Sequence, residues 1–228
     1  LLFDSEEDAM AHVEAYKASV VEEGDTVYES IDITIQPQIS MVVMDQATGY
    51  VKGIVGGRGE KTASLSLNRA TDTTRQPGST FKIVSTYAPA LDSAGMTLAS
   101  TQYDAPYYYD EGKGKEVRNA DRSYSGWTSY REGIRRSINI VAVKTLTDIT
   151  PELGATYVQN FGITTLQTEL DSGGNGDVGQ AMALGGLTNG VKNVELTAAF
   201  ATIANGGVYT EPVFYTRILD HDGNVLID

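Results

Sequence analysis

The sequence predicts an α+β fold in which one sheet is built from both ends of the chain, and three observations lead there. Two β-rich runs at 39–44 and 50–55 flank a short polar turn ending at Gly49, the pattern of a hairpin. Between 79 and 204 the apolar residues recur mostly at the three-to-four spacing of helices. Extended segments then return at 213–219. Strands, then helices, then strands again make a segregated layout rather than alternating βαβ units.

In chain order, 5–21 opens with Ser5 and an acidic first turn. Met10, Val13, Tyr16 and Val20 recur along it, so it reads as an amphipathic helix ended at Gly24. Residues 26–35 are extended, and Pro37 interrupts them. After the hairpin, glycines and polar residues make 56–72 a loop. Beyond Ser79, the residues Phe81, Val84, Ala88 and Leu91 share one helix face, with Gly95 in the place of a C-cap. Residues 100–127, with Tyr107, Tyr108, Tyr109 and several glycines, read as a loop. Helices follow at 129–136 and 138–149, the second apolar almost all round and therefore buried. Pro151 starts another helix, to about 161, and a glycine-rich loop covers 171–176. The helix 194–204 is closed by Asn205-Gly206-Gly207, and a DHDGN turn occupies 220–224. There is no internal repeat and no low-complexity tract.

At 228 residues, 41% hydrophobic and 21% charged, the chain can bury a real core and has no signature of disorder. Its 17 Lys and Arg against 30 Asp and Glu leave a net charge of -13. That opposes binding to nucleic acid and electrostatic docking on an anionic leaflet. With no cysteine, disulfides, thiolate metal sites and a Cys nucleophile are excluded. No apolar run is long enough to span a bilayer and no signal peptide is present, so membrane attachment is expected only through an anchor outside this sequence. Both ends read as cuts through a longer chain.

The two histidines, His12 on the polar side of the first helix and His221 between two aspartates, read as solvated surface residues. There is no G-x-S-x-G elbow, so a Ser-His-Asp hydrolase is disfavoured. No metal-binding motif such as H-E-x-x-H appears. Asp220, Asp222 and Asn224 have part of the spacing of a calcium loop but lack its closing glutamate, and an ordinary hairpin turn explains them. Phosphate-loop and dinucleotide fingerprints are absent, since Gly56-Gly57-Arg58-Gly59 fits neither.

A serine with a lysine as base remains. In RQPGSTFK, Ser79 stands three residues before Lys82, and no other serine here has that spacing. On a helix the two project together, on the side opposite the Phe81 stripe. A Ser hydroxyl needs a neighbour to take its proton, and burial can keep a lysine neutral enough to do so. The helix N-terminus and the Ser79 N–H would favour an oxyanion. Helix capping is the competing reading, because Pro-Gly-Ser-Thr is also a natural helix entrance. Ser137-Ile138-Asn139 follows 58 residues later, at the junction of two helices, where capping again competes. Ser66-Leu67-Asn68 shows how readily the tripeptide arises, but only the later copy immediately precedes a buried helix.

RQPGSTFK and RRSINIVAVKTL, together with YVKGIVGGR, LNRAT, ALGGLTNGV and ANGGVYTEPV, resemble the transpeptidase domain of class A (bifunctional) penicillin-binding proteins, particularly those of Gram-positive bacteria. The resemblance covers roughly residues 32–228. It implies a β-lactamase/transpeptidase-like fold, an antiparallel sheet flanked by a helical subdomain and incomplete at its C-terminus. Residues 1–35 would be a linker from an upstream glycosyltransferase domain, and 36–228 the penicillin-binding domain. The implied activity is peptidoglycan cross-linking at the extracytoplasmic face of the cell membrane, without a cofactor. Its partners would be stem peptides and β-lactam antibiotics. Ser79 would be the nucleophile and Lys82 its base; Ser137 would relay a proton, and Asn139 would hold substrate and Lys82. The other reading from this resemblance is a β-lactam-acylated sensor or scaffold without turnover.

Two departures from the family pattern matter. Lys-Thr-Gly, which grips the substrate carboxylate and supplies the second oxyanion N–H, is missing. Lys61-Thr62-Ala63 and Lys144-Thr145-Leu146 are near misses in the wrong places. The chain as written is therefore expected to be impaired. The deacylating glutamate of class A β-lactamases is also absent: Leu170-Asp171 echoes the end of that motif, but Gln167 stands where the Glu would, and Glu169 is out of register.

Overall fold

The computed structural model describes the chain except residues 2, 4, 35, 36, 60, 62, 170–175 and 228. The expected boundary at 35/36 and most of the glycine-rich loop, with Leu170-Asp171 and Thr62, lie outside the described residues. Two compact units are present, Leu1–Gln38 and Ile39–Asp228.

The first unit contains α1 (Glu6–Val20). Ser5 caps it, its hydroxyl oxygen accepting from the Asp8 N–H at 3.0 Å, and Glu6, Glu7 and Asp8 face the positive end of the helix dipole. The expected apolar stripe is largely uncovered: Tyr16 and Val20 are exposed. Residues 26–34 form no strand.

The second unit begins with the predicted hairpin, β1 (Met41–Met44) and β2 (Val51–Val55), paired antiparallel. Its turn is closed by Asp45, whose carboxylate accepts from the N–H groups of Ala47 and Thr48, and by Gly49 at φ +75. The sheet expected from both ends of the chain is present at one parallel bridge, Tyr50 to Val213, with the Val51 N–H donating to Val213 O and the Val213 N–H to Gly49 O. Elsewhere the described strands pair as separate two-stranded antiparallel ladders. They are β3 (Thr74–Arg75) with β8 (Val191–Lys192), β4 (Thr101–Asp104) with β7 (Gly126–Ser129), β5 (Tyr107–Tyr108) with β6 (Glu116–Val117), and β9 (Ile218–Leu219) with β10 (Val225–Ile227).

The loop expected over 100–127 is therefore corrected. It holds four short strands, and alternation betrays the first of them: in β4, Gln102 and Asp104 face inward while Tyr103 faces solvent. Two inward polar residues mask the period-two signal, because an apolar-inward pattern was the cue. The 220–224 turn is held by Asp220, whose carboxylate accepts from the Asp222 and Asn224 N–H groups, as an ordinary hairpin turn requires.

The core lies among the central helices. α4 (Asn139–Ile149) buries Ile140, Val141, Ala142, Val143 and Leu146 completely, as its all-round apolar sequence requires. Around it pack α3 (Tyr130–Arg135), α5 (Pro151–Asn160), a 3-10 turn at Gln180–Leu184 and the segment that follows Ser79. That segment is composite: a 3-10 turn Gly78–Thr80, a π turn Ile83–Tyr87 in which the Ala88 N–H reaches back to Ile83 O, and α2 (Ala88–Asp92). Phe81, Val84 and Tyr87 from it belong to the same buried core as α4. α6 (Asn193–Ala204) packs on β1 and completes the unit.

Candidate active site

Ser79 lies in the first turn of the composite helix and is exposed. It does not cap that helix, which corrects the capping reading. Pro77 occupies the cap position in a helical conformation, and Gly78 at φ +56 makes the left-handed corner, so the chain is already helical at Ser79. The neighbouring Thr80 hydroxyl donates back to Pro77 O at 2.6 Å, while Ser79 Oγ makes no hydrogen bond to a described residue.

The turn is held from one side by the 185–192 segment. β3 pairs with β8. The Gln76 side chain continues that ladder, accepting from the Leu187 N–H at 2.9 Å and donating to Leu187 O. Gly185, at φ +71, approaches the Gly78 backbone so closely that a Cβ on it would sit 2.5 Å from Gly78 O and 2.6 Å from Gly78 N. Between these segments is a cleft of about 660 Å³ lined by Gln76, Gly78, Tyr109 and Gly185 among others.

Lys82, one turn beyond Ser79, is only 2% exposed. Its Nζ donates to Ser137 O at 2.6 Å, Ser137 Oγ at 3.0 Å and Asn139 Oδ1 at 2.6 Å. An ammonium has three protons, and all three are used on neutral acceptors. No ion pair reaches it among the described residues. Burial without a counter-charge pushes its pKa down to about 8, which is the condition for a lysine to serve as a base near neutrality. The structure thus brings together Lys82, Ser137 and Asn139, and it sets Ser79 one turn away without a hydrogen bond between Ser79 Oγ and Lys82.

The same desolvation has a stability consequence. The folded-state value lies below the ordinary 10.5, so the unfolded chain binds a proton more tightly and folding carries a penalty below about pH 8. That penalty fades as pH rises from about 8 to 10.5. Urea unfolding of the unaltered chain and of Lys82→Met across that window should show the gain in the first and its absence in the second.

Ser137 sits between α3 and α4 at φ +54, a left-handed conformation that costs a serine about 1 kcal/mol or more. Its corner is pinned by the Ser137 N–H on Ile134 O and the Ile138 N–H on Gly133 O. Neither Ser137 nor Asn139 caps α4 with its side chain, since Ile138 is the cap residue and offers none. The cap comes from elsewhere. Asn119 Oδ1 accepts from the N–H groups of Asn139 (3.1 Å) and Ile140 (3.2 Å), and Asn139 Nδ2 donates to Arg118 O at 2.7 Å. Sequence reasoning missed Asn119; an Asn after a short β-run signals only a turn.

The near-miss Lys144-Thr145-Leu146 is internal to α4, with Lys144 Nζ donating to Tyr103 O. Both histidines are exposed, His12 beside the Phe3 ring and His221 beside Asp222. Among the described residues no group of three or more His, Cys, Asp or Glu could hold a metal, and no helix is long and apolar enough to cross a membrane.

The sequence pattern of one family, described as penicillin binding protein transpeptidase domain, matches residues 39–226. This chain belongs to that family. Among curated relatives of this family, penicillin-binding protein 1A of Clostridium tetani is 36% identical over 204 residues, covering 85% of this chain and 25% of the relative. Penicillin-binding protein 1F of Bacillus subtilis is 37% identical over 189 residues, covering 83% and 24%. The chain thus spans about a quarter of the length of the curated relatives it matches. Among solved structures, penicillin-binding protein 1A from Haemophilus influenzae superposes with a TM-score of 0.70 at 27% identity, over 83% of this chain and 27% of that one. Penicillin-binding protein A from Mycobacterium tuberculosis, solved as a penicillin G acyl-enzyme complex, has a TM-score of 0.68 at 19% identity over 82% and 51%, a likeness of fold. The class A resemblance read from the motifs, and its Gram-positive leaning, agree with these relatives.

Proposed function

We propose that this penicillin-binding transpeptidase domain cross-links peptidoglycan through an acyl-enzyme on Ser79. The supporting observation is the Lys82 amine, buried on neutral acceptors from Ser137 and Asn139 one turn from an exposed serine. In its neutral form Lys82 takes the Ser79 hydroxyl proton as Oγ bonds to the carbonyl carbon of the penultimate D-alanine of a stem peptide. The Ser79 N–H, at the start of the helix where such groups lack intrahelical partners, stabilises the oxyanion. The bond to the terminal D-alanine nitrogen then breaks, and the proton passes from Lys82 through the Ser137 hydroxyl to that leaving amine. Asn139 holds the peptide amide and the lysine. An amine from a neighbouring strand attacks the ester, gives up a proton and restores the Ser79 hydroxyl.

A β-lactam follows the first half only. Its ring amide opens on Ser79 and no leaving group departs, so the ester persists. Since Gln167 stands in place of a deacylating glutamate, hydrolysis of that ester is slow. The 228 residues contain no Lys-Thr-Gly, and full turnover needs that group's grip on the substrate carboxylate. Residues 1–35 serve as a linker from a glycosyltransferase domain, and the domain acts at the extracytoplasmic face of an anchored protein. No cofactor takes part.

The test is release of D-alanine from a synthetic pentapeptide stem by the full-length protein, followed chromatographically. Release that stops after prior treatment with benzylpenicillin is expected. Benzylpenicillin acylation without any D-alanine release would instead make the domain a sensor or scaffold.

A further inference from the structure

Asn119 reaches the site through its side-chain oxygen and is anchored on its other side through its side-chain nitrogen. It is 6% exposed and lies in the loop after β6. Its Oδ1 accepts the two N–H groups at the start of α4, and its Nδ2 donates to Asp104 Oδ1 and to Ser123 O, both at 2.8 Å. An amide side chain offers two donors and an oxygen with two lone pairs, and all four capacities are used. Asp104, 1% exposed at the end of β4, is itself oriented by the Ser125 N–H, which donates to its other oxygen at 2.8 Å. The preceding Arg118 carbonyl takes the Asn139 side-chain N–H. Consecutive residues of one loop therefore grip Asn139 by its backbone and by its side chain. With Nδ2 committed to Arg118 O, Asn139 Oδ1 is left facing Lys82.

We propose that Asn119, seated on Asp104, is a positioning residue that sets the orientation of Asn139 and through it the placement of the Lys82 amine against Ser137. This deepens the reading of the site given above and rests on it. An aspartate at 119 would still accept from α4 but would turn a second carboxylate toward Asp104 and toward the Ser123 carbonyl, where nothing could donate. An amide at 104 facing a carboxylate at 119 restores the donor between those two side chains, while the Ser123 carbonyl stays without one.

The experiment is acylation of the full-length protein by benzylpenicillin over a range of concentrations, which separates the first-order acylation step from initial binding. Thermal melting monitors folding. Asn119→Ala is expected to slow the acylation step by roughly 10- to 100-fold per folded molecule while binding moves little, the scale of a misplacement of about 1 Å. Asn119→Asp should be slowed at least as much, and the swapped pair Asn119→Asp with Asp104→Asn should recover part of the loss. A role confined to stability would lower the melting temperature of all these variants and leave the step itself unmoved. Asn119→Ala acylating within about twofold of the unaltered protein, or a swapped pair no faster than Asn119→Asp, overturns the proposal. Where Asn119→Ala does not fold, the comparison of Asn119→Asp with the swapped pair decides it. If the unaltered protein forms no adduct on Ser79, the functional reading fails and this inference goes with it. An adduct that forms normally in Asn119→Ala sinks this inference alone.

Discussion

Replacing Lys82 with methionine is expected to slow acylation of Ser79 by roughly 10²- to 10⁴-fold, the usual contribution of a positioned general base. Methionine fills much of the same buried space, so the loss should appear in chemistry rather than in folding. The pH profile gives a sharper signature. In the unaltered protein the rate should rise with pH through about 8, because the amine must be neutral to accept the serine proton and burial sets its titration there. Below that point the rate should fall about tenfold per pH unit. In Lys82→Met that limb should vanish, and a pH dependence surviving the substitution would assign the base elsewhere. Removing the amine also strips three hydrogen bonds from Ser137 and Asn139, so some of the loss reflects their release.

Gly185→Ala is the second large effect, and it acts on the support of Ser79, the proposed nucleophile, rather than on its chemistry. The position has φ +71, where a side chain is strained, and the added Cβ would fall 2.5 Å from Gly78 O and 2.6 Å from Gly78 N. Those are backbone atoms and cannot swing aside as a flexible side chain could. Either the Gly78–Thr80 turn shifts or the 185–192 segment withdraws, and both routes carry Ser79 with them. Strain and displacement together should cost about 3 kcal/mol, which in a unit of this size lowers the melting temperature by roughly 10 °C. Acylation should fall by about 10²-fold even in the folded fraction, since a shift of about 1 Å at a nucleophile costs that much. Gly179, around which nothing lies within 4 Å, provides the control: alanine there should leave melting and acylation close to unaltered.

Much of this was legible in the residue pattern, for identifiable reasons. The hairpin at 41–55 and the buried helix 139–149 declare themselves because apolar periodicity and turn residues act locally. Ser79, Lys82, Ser137 and Asn139 were visible as two short motifs, and the structure brings Lys82, Ser137 and Asn139 into hydrogen-bonding contact. The four strands between 101 and 129 were hidden because their inward positions include Gln102, Asp104 and Thr128, polar residues that break the expected alternation. The helix entrance was misread because Pro-Gly-Ser-Thr suits a serine cap, whereas the left-handed corner falls on Gly78 and the cap on Pro77, two residues earlier. Asn119 and Gly185 escaped for a common reason. Each matters through a partner distant in sequence, Asn139 in one case and Gly78 in the other, and no local period encodes such pairings.

Acylation of Ser79 is read out by treating the full-length protein with benzylpenicillin, digesting with trypsin and locating the adduct by mass. The released peptide 76–82 contains only Ser79 and Thr80 as hydroxyl side chains, and fragmentation separates them. One equivalent of penicilloyl group on Ser79 is expected. A stoichiometric adduct on Ser137 or any other residue, with Ser79 unmodified, would contradict it.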